Sequence, residues 1–123
     1  IWGDGKTKRE FMPASELADL IWYSLKNFTF MPNILNAGLG VDYSIDEYYF
    51  AIAKILNYSG RFIHNLNAPD GMKRKVVSTK QLKSFGWKCK KNLNQGLEEA
   101  IEFYKDHILL RNQRKMKKDS YIS

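Results

Sequence analysis

The sequence has few of the residues from which cross-links and metal centres are built. Its 123 residues include one cysteine, Cys89, and two histidines, His64 and His107, which lie far apart. A single cysteine excludes an internal disulfide and a zinc site made of cysteines. The histidines have no carboxylates at metal-ligand spacing, so we expect no metal ion.

The sequence also lacks long apolar segments. No apolar run approaches the roughly 18 residues that a membrane-spanning helix requires, and no signal-peptide pattern is visible. We therefore expect no membrane partner and a cytoplasmic location.

Positive charge is plentiful but uneven along the chain. Residues 111–123 hold five Lys or Arg and one Asp, which accounts for +4 of the total net charge of +7. We predict a single domain over residues 1–110, followed by a basic, disordered tail over residues 111–123. With 44% apolar and 14% aromatic residues, the chain can build a hydrophobic core.

Periodic apolar residues predict about four helices. They cover roughly residues 15–27, 44–58, 78–85 and 94–110. The second helix begins with a capping box, in which Ser44 and Glu47 bond to each other's backbone N–H groups. The third is predicted to be capped by Ser78 and to end at Gly86, where glycine permits a positive φ.

The predicted strands are few and short. Ile34–Ala37 and Arg61–His64 have the apolar content of strands, and Lys75–Val77 forms a brief extended piece. The fold class is therefore α/β, with two or three short strands that cannot form a complete sheet alone.

Two glycine-rich stretches resemble nucleotide-binding motifs without completing them. Gly5-Lys6-Thr7 matches the end of a P-loop, but no apolar helix follows and the motif's first glycine would precede the chain. Gly38-Leu39-Gly40 resembles a dinucleotide-binding fingerprint, but Tyr43 stands at the third glycine position. We interpret the second stretch as a turn between a strand and a helix.

No catalytic constellation is recognisable. In particular, no tyrosine is followed four residues later by lysine. The remaining candidates suit an anion beside a flat ring. Trp2 offers a stacking surface, and Arg9 can bind phosphate oxygens through two parallel donors. Arg61 and the basic cluster Lys73–Lys75 add positive charge. These residue types fit either a nucleotide or a nucleic acid, and composition does not choose between the two.

Five stretches in order carry a resemblance to a known family. They are Trp2-Gly3-Asp4-Gly5 with Arg9-Glu10-Phe11, Asn36–Asp42, Gly60-Arg61-Phe62, Pro69-Asp70-Gly71 with Arg74-Lys75, and Phe85-Gly86-Trp87. The series resembles the carboxy-terminal part of the GDP-L-fucose synthase family over roughly residues 1–104. These enzymes are NADP-dependent 3,5-epimerase/4-reductases of GDP-4-keto-6-deoxy-sugars, within the NAD-dependent epimerase/dehydratase group of extended short-chain dehydrogenases.

The resemblance implies a division of labour between two parts of a longer enzyme. NADP and the catalytic Ser, Tyr, Lys, Cys and His would belong to an amino-terminal Rossmann part preceding Ile1. The present chain would then bind no cofactor and be inactive alone, with no catalytic residues of its own. The resemblance assigns GDP-sugar contacts to four side chains: Trp2, Arg9, Arg61 and Lys75.

The resemblance also bears on partners and on the sugar. It implies that Ile34–Ala37 extends the Rossmann sheet, so an unpaired edge there predicts self-association or dimerisation. Pro13-Ala14-Ser15-Glu16 departs from the family pattern, which leaves a fucose precursor, a heptose or another deoxyhexose open. The alternative function is a small basic nucleic-acid-binding module that uses Lys73–Lys75 and the tail together with Trp2 and Trp87.

Overall fold

The fold was analysed in a computed structural model that describes residues 1–69 and 71–109. Over these residues the chain forms four α-helices and three two-residue strands, as the predicted α/β class requires. In chain order they are β1 (Lys8–Arg9), α1 (Ala14–Lys26), β2 (Tyr43–Ser44), α2 (Ile45–Ile55), β3 (Arg74–Lys75), α3 (Lys80–Phe85) and α4 (Leu93–Phe103). A 3-10 turn, Phe28–Phe30, follows α1, and a π-helical turn, Tyr104–Leu109, follows α4. The predicted tail lies outside the described residues.

The strands form one small sheet in the order β2-β1-β3. β1 pairs antiparallel with β2, and Arg9 lies opposite Tyr43. β1 pairs parallel with β3, and Arg9 lies opposite Lys75. The central position of β1 therefore fixes Arg9 between two neighbouring chain segments.

The hydrophobic core is small for the length of the chain. Leu20 of α1, Leu82 of α3 and the ring of Trp87 are buried together. The indole Nε1 of Trp87 donates to Asp19 Oδ2 at 2.8 Å, which satisfies its only polar atom. These contacts join α1 and α3, while many large apolar side chains elsewhere remain exposed.

The predicted capping box at the start of α2 is confirmed. The Glu47 N–H donates to Ser44 Oγ at 3.2 Å, and the Ser44 N–H donates to Glu47 Oε2 at 2.6 Å. The bond from the Ser44 backbone N–H lowers the pKa of the Glu47 carboxyl.

The predicted cap of the third helix is wrong, although its end is confirmed. α3 begins after Thr79, whose side chain makes no capping bond. The preceding chain is held extended because the Val77 N–H donates to Glu10 and the Ser78 carbonyl accepts from Asn36. Gly86 closes the helix with φ 95°, the left-handed conformation that glycine favours.

Two predicted strands are also wrong. Residues 34–37 form an irregular segment in which Ile34 is 78% exposed and only partly buried Leu35 packs against the core. Residues 61–64 form no strand either, and the nearest backbone pairing is an isolated bridge between Trp2 and Asn65. Ile63 is 80% exposed, so each segment leaves an isoleucine exposed instead of packing it in a sheet.

Candidate functional site

A cavity of about 470 Å³ opens between the amino-terminal loop and the first turns of α2. Its lining residues are Ile1, Trp2, Thr7, Arg9, Ile45, Tyr49 and Pro69. Trp2 is 73% exposed and Tyr49 is 44% exposed, so both rings are accessible to a ligand. The cavity thus combines aromatic surfaces, a hydroxyl group and a guanidinium.

Backbone hydrogen bonds hold the loop that carries Trp2. The Gly3 N–H donates to the Asn65 carbonyl at 2.9 Å, and the Asn65 N–H donates to the Ile1 carbonyl at 2.7 Å. Together with the bridge between Trp2 and Asn65, these bonds fix the backbone of Trp2 against the segment after residue 60. The exposed indole is therefore carried by an anchored backbone.

The same loop caps the start of α2. The Ile45 N–H donates to the Thr7 carbonyl and the Asp46 N–H donates to the Gly5 carbonyl, both at 3.0 Å. These are N–H groups that a helix cannot satisfy internally. Gly5 has φ 72°, and a Cβ there would lie 2.0 Å from Asp46 Oδ1, so both the backbone conformation and the close contact require glycine. Gly5-Lys6-Thr7 thus offers carbonyl groups to a helix, unlike a P-loop, which offers N–H groups to phosphate.

The backbone also orients Arg9 at the cavity. Its Nη1 donates to the carbonyls of Lys8 and Met72, both at 2.7 Å. Within residues 1–69 and 71–109, Nη2 and Nε of Arg9 make no hydrogen bond. Guanidinium groups present donors in a rigid plane, so this side chain can direct two more donors at an anion.

The structure does not bring all four predicted contact residues to this cavity. Trp2 and Arg9 line it together, whereas Arg61 and Lys75 do not. Lys75 is exposed and lies opposite Arg9 in the sheet. Arg61 is exposed and adjoins Phe62, whose ring centroid lies 5.7 Å from that of Tyr49. The substrate roles of all four residues stay predictions.

Glu10, which follows Arg9, explains the second glycine-rich stretch. Its Oε1 accepts from the N–H groups of Leu39 (2.5 Å) and Gly40 (2.6 Å), and its Oε2 accepts from Val77 (2.9 Å). A Cβ on Gly38 would lie 2.3 Å from Val77 Cγ2, so the close approach requires glycine. The stretch is a turn, as predicted, although no strand precedes it. Two of its amides already bind an internal carboxylate.

One member of the basic cluster Lys73–Lys75 is engaged inside the molecule. Arg74 donates from Nε to Asp42 Oδ2 at 2.6 Å and from Nη2 to Oδ1 at 3.2 Å. This hydrogen bonding lowers the pKa of the Asp42 carboxyl. An arginine paired in this way is less suited to bind an external phosphate, which weakens the nucleic-acid alternative.

A second cavity, of about 300 Å³, is lined mainly by apolar side chains. Phe11, Tyr48 and residues of α4 line it, and burial raises the pKa of the Tyr48 hydroxyl. Its one charged lining residue, Lys91, is paired with Glu99 at 2.5 Å. A cavity of this character suits an anion poorly, so we assign the candidate site to the first cavity.

Sequence reasoning missed several features of the candidate site. The site residues predicted from the sequence include neither Tyr49 nor the pair Asp46 and His64. In the structure His64 Nε2 lies 2.8 Å from Asp46 Oδ1, beside the cavity. The two residues are 18 positions apart, so no local spacing could reveal the contact. Tyr49, by contrast, has a local signal, because it lies one helical turn after Ile45, whose N–H group bonds to the loop.

The described residues contain neither a cluster of metal ligands nor a membrane-spanning helix. Among residues 1–69 and 71–109, no group of three or more His, Cys, Asp or Glu side chains could hold a metal ion. None of the helices in this part of the chain is long and apolar enough to cross a membrane.

Comparison with solved structures first defines the class of fold. The GDP-mannoheptose C4 reductase from Campylobacter jejuni, solved with NADP bound, superimposes with a TM-score of 0.73 at 34% sequence identity. The match covers 85% of this chain and 34% of the reductase. The fold is thus part of an extended short-chain dehydrogenase.

Sequence comparison narrows the class to a family. The chain is 48% identical over 104 residues to the GDP-L-colitose synthase of Yersinia pseudotuberculosis, covering 85% of this chain and 34% of the relative. It is 36% identical over 104 residues to the GDP-L-fucose synthase of Azorhizobium caulinodans, covering 85% and 33%. Over 85% of its length the chain is thus similar to enzymes of the GDP-L-fucose synthase-like family of epimerase/dehydratases. No family model matches it. It spans about a third of the length of the curated relatives that it matches.

Proposed function

We propose that this chain is the sugar-nucleotide-binding part of an NADP-dependent epimerase/reductase that acts on a GDP-4-keto-6-deoxy-sugar. The observation that carries the proposal is the convergence of Trp2, Thr7, Arg9 and Tyr49 on one cavity. The names of the relatives support the substrate class, because all three refer to GDP-sugars.

The geometry of the cavity suits a nucleoside diphosphate. Nη2 and Nε of Arg9, which bond to none of the described residues, would bind diphosphate oxygens, and charge-assisted bonds of this kind are the stronger hydrogen bonds in proteins. The ring of Trp2 or Tyr49 would stack on the base. Arg61 and Lys75, just outside the lining, would add positive potential around the diphosphate. Binding energy from these remote groups would hold the sugar for reaction elsewhere.

We further propose that the chain is inactive alone and that its parent enzyme works in the cytoplasm. When bound to the parent, NADPH supplies the hydride for reduction. The residues described here do not fit that cofactor, because the fingerprint-like turn already uses the N–H groups of Leu39 and Gly40 to bind Glu10. This chain would therefore contribute substrate binding only.

Calorimetry with GDP and UDP tests the proposal on the chain itself. We expect GDP to bind more tightly than UDP and the affinity to survive truncation after Leu110, which removes the basic tail. Failure to bind GDP would contradict the proposal.

A single-stranded oligonucleotide provides the test of the alternative. Binding that requires the tail and falls steeply between 50 and roughly 200 mM salt would support a nucleic-acid module instead, because such binding releases counterions from several phosphates.

We also propose self-association, but through a different surface from the strand expected at Ile34–Ala37. The unpaired strand expected at Ile34–Ala37 does not form. Exposed apolar side chains on α1 and the following turn offer an alternative surface, formed by Leu17, Ile21, Leu25 and Phe28. We propose that copies of the isolated chain associate through this surface.

A further inference from the structure

We infer that Asp46 and His64 form a positioning pair that sets the separation of the two walls of the candidate cavity, an inference that rests on the proposed function. His64 Nε2 lies 2.8 Å from Asp46 Oδ1, and the side chains are 31% and 26% exposed. Neither residue lines the cavity. The pair would therefore act on the ligand through the residues that do.

Each member of the pair adjoins one wall. Asp46 lies in the first turn of α2, between the lining residues Ile45 and Tyr49. His64 directly precedes Asn65, whose backbone pairs with Trp2. A bond between the two side chains therefore links the helix that carries Tyr49 to the segment that holds Trp2.

The pair links two elements, α2 and the segment around Asn65, that the backbone hydrogen bonds of the loop do not link to each other. The loop is fastened to α2 at Gly5 and Thr7, and to the later segment at Ile1 and Gly3. The bond from His64 to Asp46 joins α2 to the segment around Asn65, where Phe62 also packs against Tyr49 and Phe50, and it adds a polar link to a triangle of three elements. The added link restricts how far Trp2 can move from Tyr49.

The chemistry of the pair supports a structural role. A neutral imidazole with its proton on Nε2 donates to a carboxylate, and so does the imidazolium form. Asp46 also lies in the first turn of α2, the end of a helix at which acidic side chains are favourable. The macrodipole alone, however, would not direct a histidine from an irregular segment onto this carboxylate.

Two substitutions of His64 separate positioning from simple loss of a side chain. Glutamine can place an amide donor where Nε2 lies, whereas leucine keeps bulk without a donor. We expect His64→Leu to weaken GDP binding about tenfold, which corresponds to about 1.4 kcal/mol, and His64→Gln to remain within about threefold of wild type. Lys90→Met, which removes an ion pair of equal length to Asp19 far from the cavity, is the matched control and should leave GDP affinity unchanged.

Amide hydrogen exchange provides a readout that does not depend on GDP. We expect His64→Leu to reduce protection of the Gly3 and Asn65 amides, and His64→Gln to preserve it. If the leucine variant does not fold, His64→Asn, whose amide is too short to reach Asp46, takes its place.

The outcomes distinguish this inference from the function on which it rests. Wild-type protection and GDP affinity in His64→Leu would overturn the inference, as would equal losses in the glutamine and leucine variants. If the wild-type chain does not bind GDP, the proposed function fails. Amide protection then decides the inference: reduced protection in His64→Leu supports it, and unchanged protection overturns it.

Discussion

At the scale of single residues, Arg9-Glu10-Phe11 shows how neighbouring side chains divide their tasks. Arg9 faces the candidate cavity. Glu10 faces the opposite way and gathers three backbone N–H groups from two distant segments. The ring of Phe11 packs against that of Tyr48, with centroids 4.8 Å apart. The stretch therefore holds parts of the fold together as well as contributing to the candidate site.

The role of Glu10 predicts a specific loss of stability. In Glu10→Gln the amide oxygen can still accept from Leu39 and Gly40, but the amide nitrogen then meets the Val77 N–H donor to donor. Leaving such a group unpaired costs about 1–3 kcal/mol. We expect a urea midpoint lowered accordingly, with an unchanged m-value.

Glu98→Gln serves as the control for this measurement, since Glu98 is exposed on α4. Its effect should stay within about 0.5 kcal/mol. Equal stability of Glu10→Gln and wild type would show that the bond from the Val77 N–H contributes nothing net.

At the scale of secondary-structure elements, locally encoded features were predictable. The capping box of α2 and the end of α3 at Gly86 depend on residues within one turn of each other, and both are confirmed. The three strands consist of two residues each and exist only because β1 pairs with both β2 and β3. Nothing in their own sequence distinguishes them from loops.

The mispredicted strands have the same physical origin. A strand needs a partner, and neither Ile34–Ala37 nor Arg61–His64 finds one. The same contrast between local and long-range features applies to the candidate site. Trp2 and Arg9 are candidates by residue type, and the family resemblance, which already contains three-dimensional information, assigns them to the GDP-sugar. Tyr49 and the contact between Asp46 and His64 depend on packing that periodicity does not encode.

The cap of α2 predicts a defined dependence on pH. The Ser44 N–H lowers the pKa of Glu47 in the folded chain, so its contribution to stability is present above the unfolded value of about 4.3. That contribution is lost as pH falls through the lower folded pKa. Thermal unfolding at pH 6 should show wild type more stable than Glu47→Gln, and the difference should shrink towards pH 3. A difference that is constant with pH would contradict a role for the charge.

At the scale of the whole molecule, the described residues bury few apolar side chains and leave many exposed. Of the apolar α1 residues, Leu20 is buried, whereas Leu17, Ile21 and Leu25 are 41–62% exposed. Phe28 in the following turn is 72% exposed. Exposed apolar surface of this extent marks an interaction site. The predicted apolar face of this helix thus exists, but most of it lies outside the core.

The exposed face of α1 predicts association of the isolated chain and a way to abolish it. Fully burying a leucine or isoleucine contributes about 1.5–3 kcal/mol, and each tenfold change in affinity corresponds to about 1.4 kcal/mol. The double substitution Ile21→Glu with Leu25→Glu should therefore weaken association by more than about tenfold. We expect sedimentation at high concentration to show wild type as a dimer or larger species and the double variant as a monomer, with GDP affinity unchanged because neither residue lines the cavity. Leu56→Glu, which places the same charge on an exposed leucine after α2, should remain associated. Wild type that sediments as a monomer, or a double variant that associates as strongly as wild type, would show that this face does not join copies of the chain.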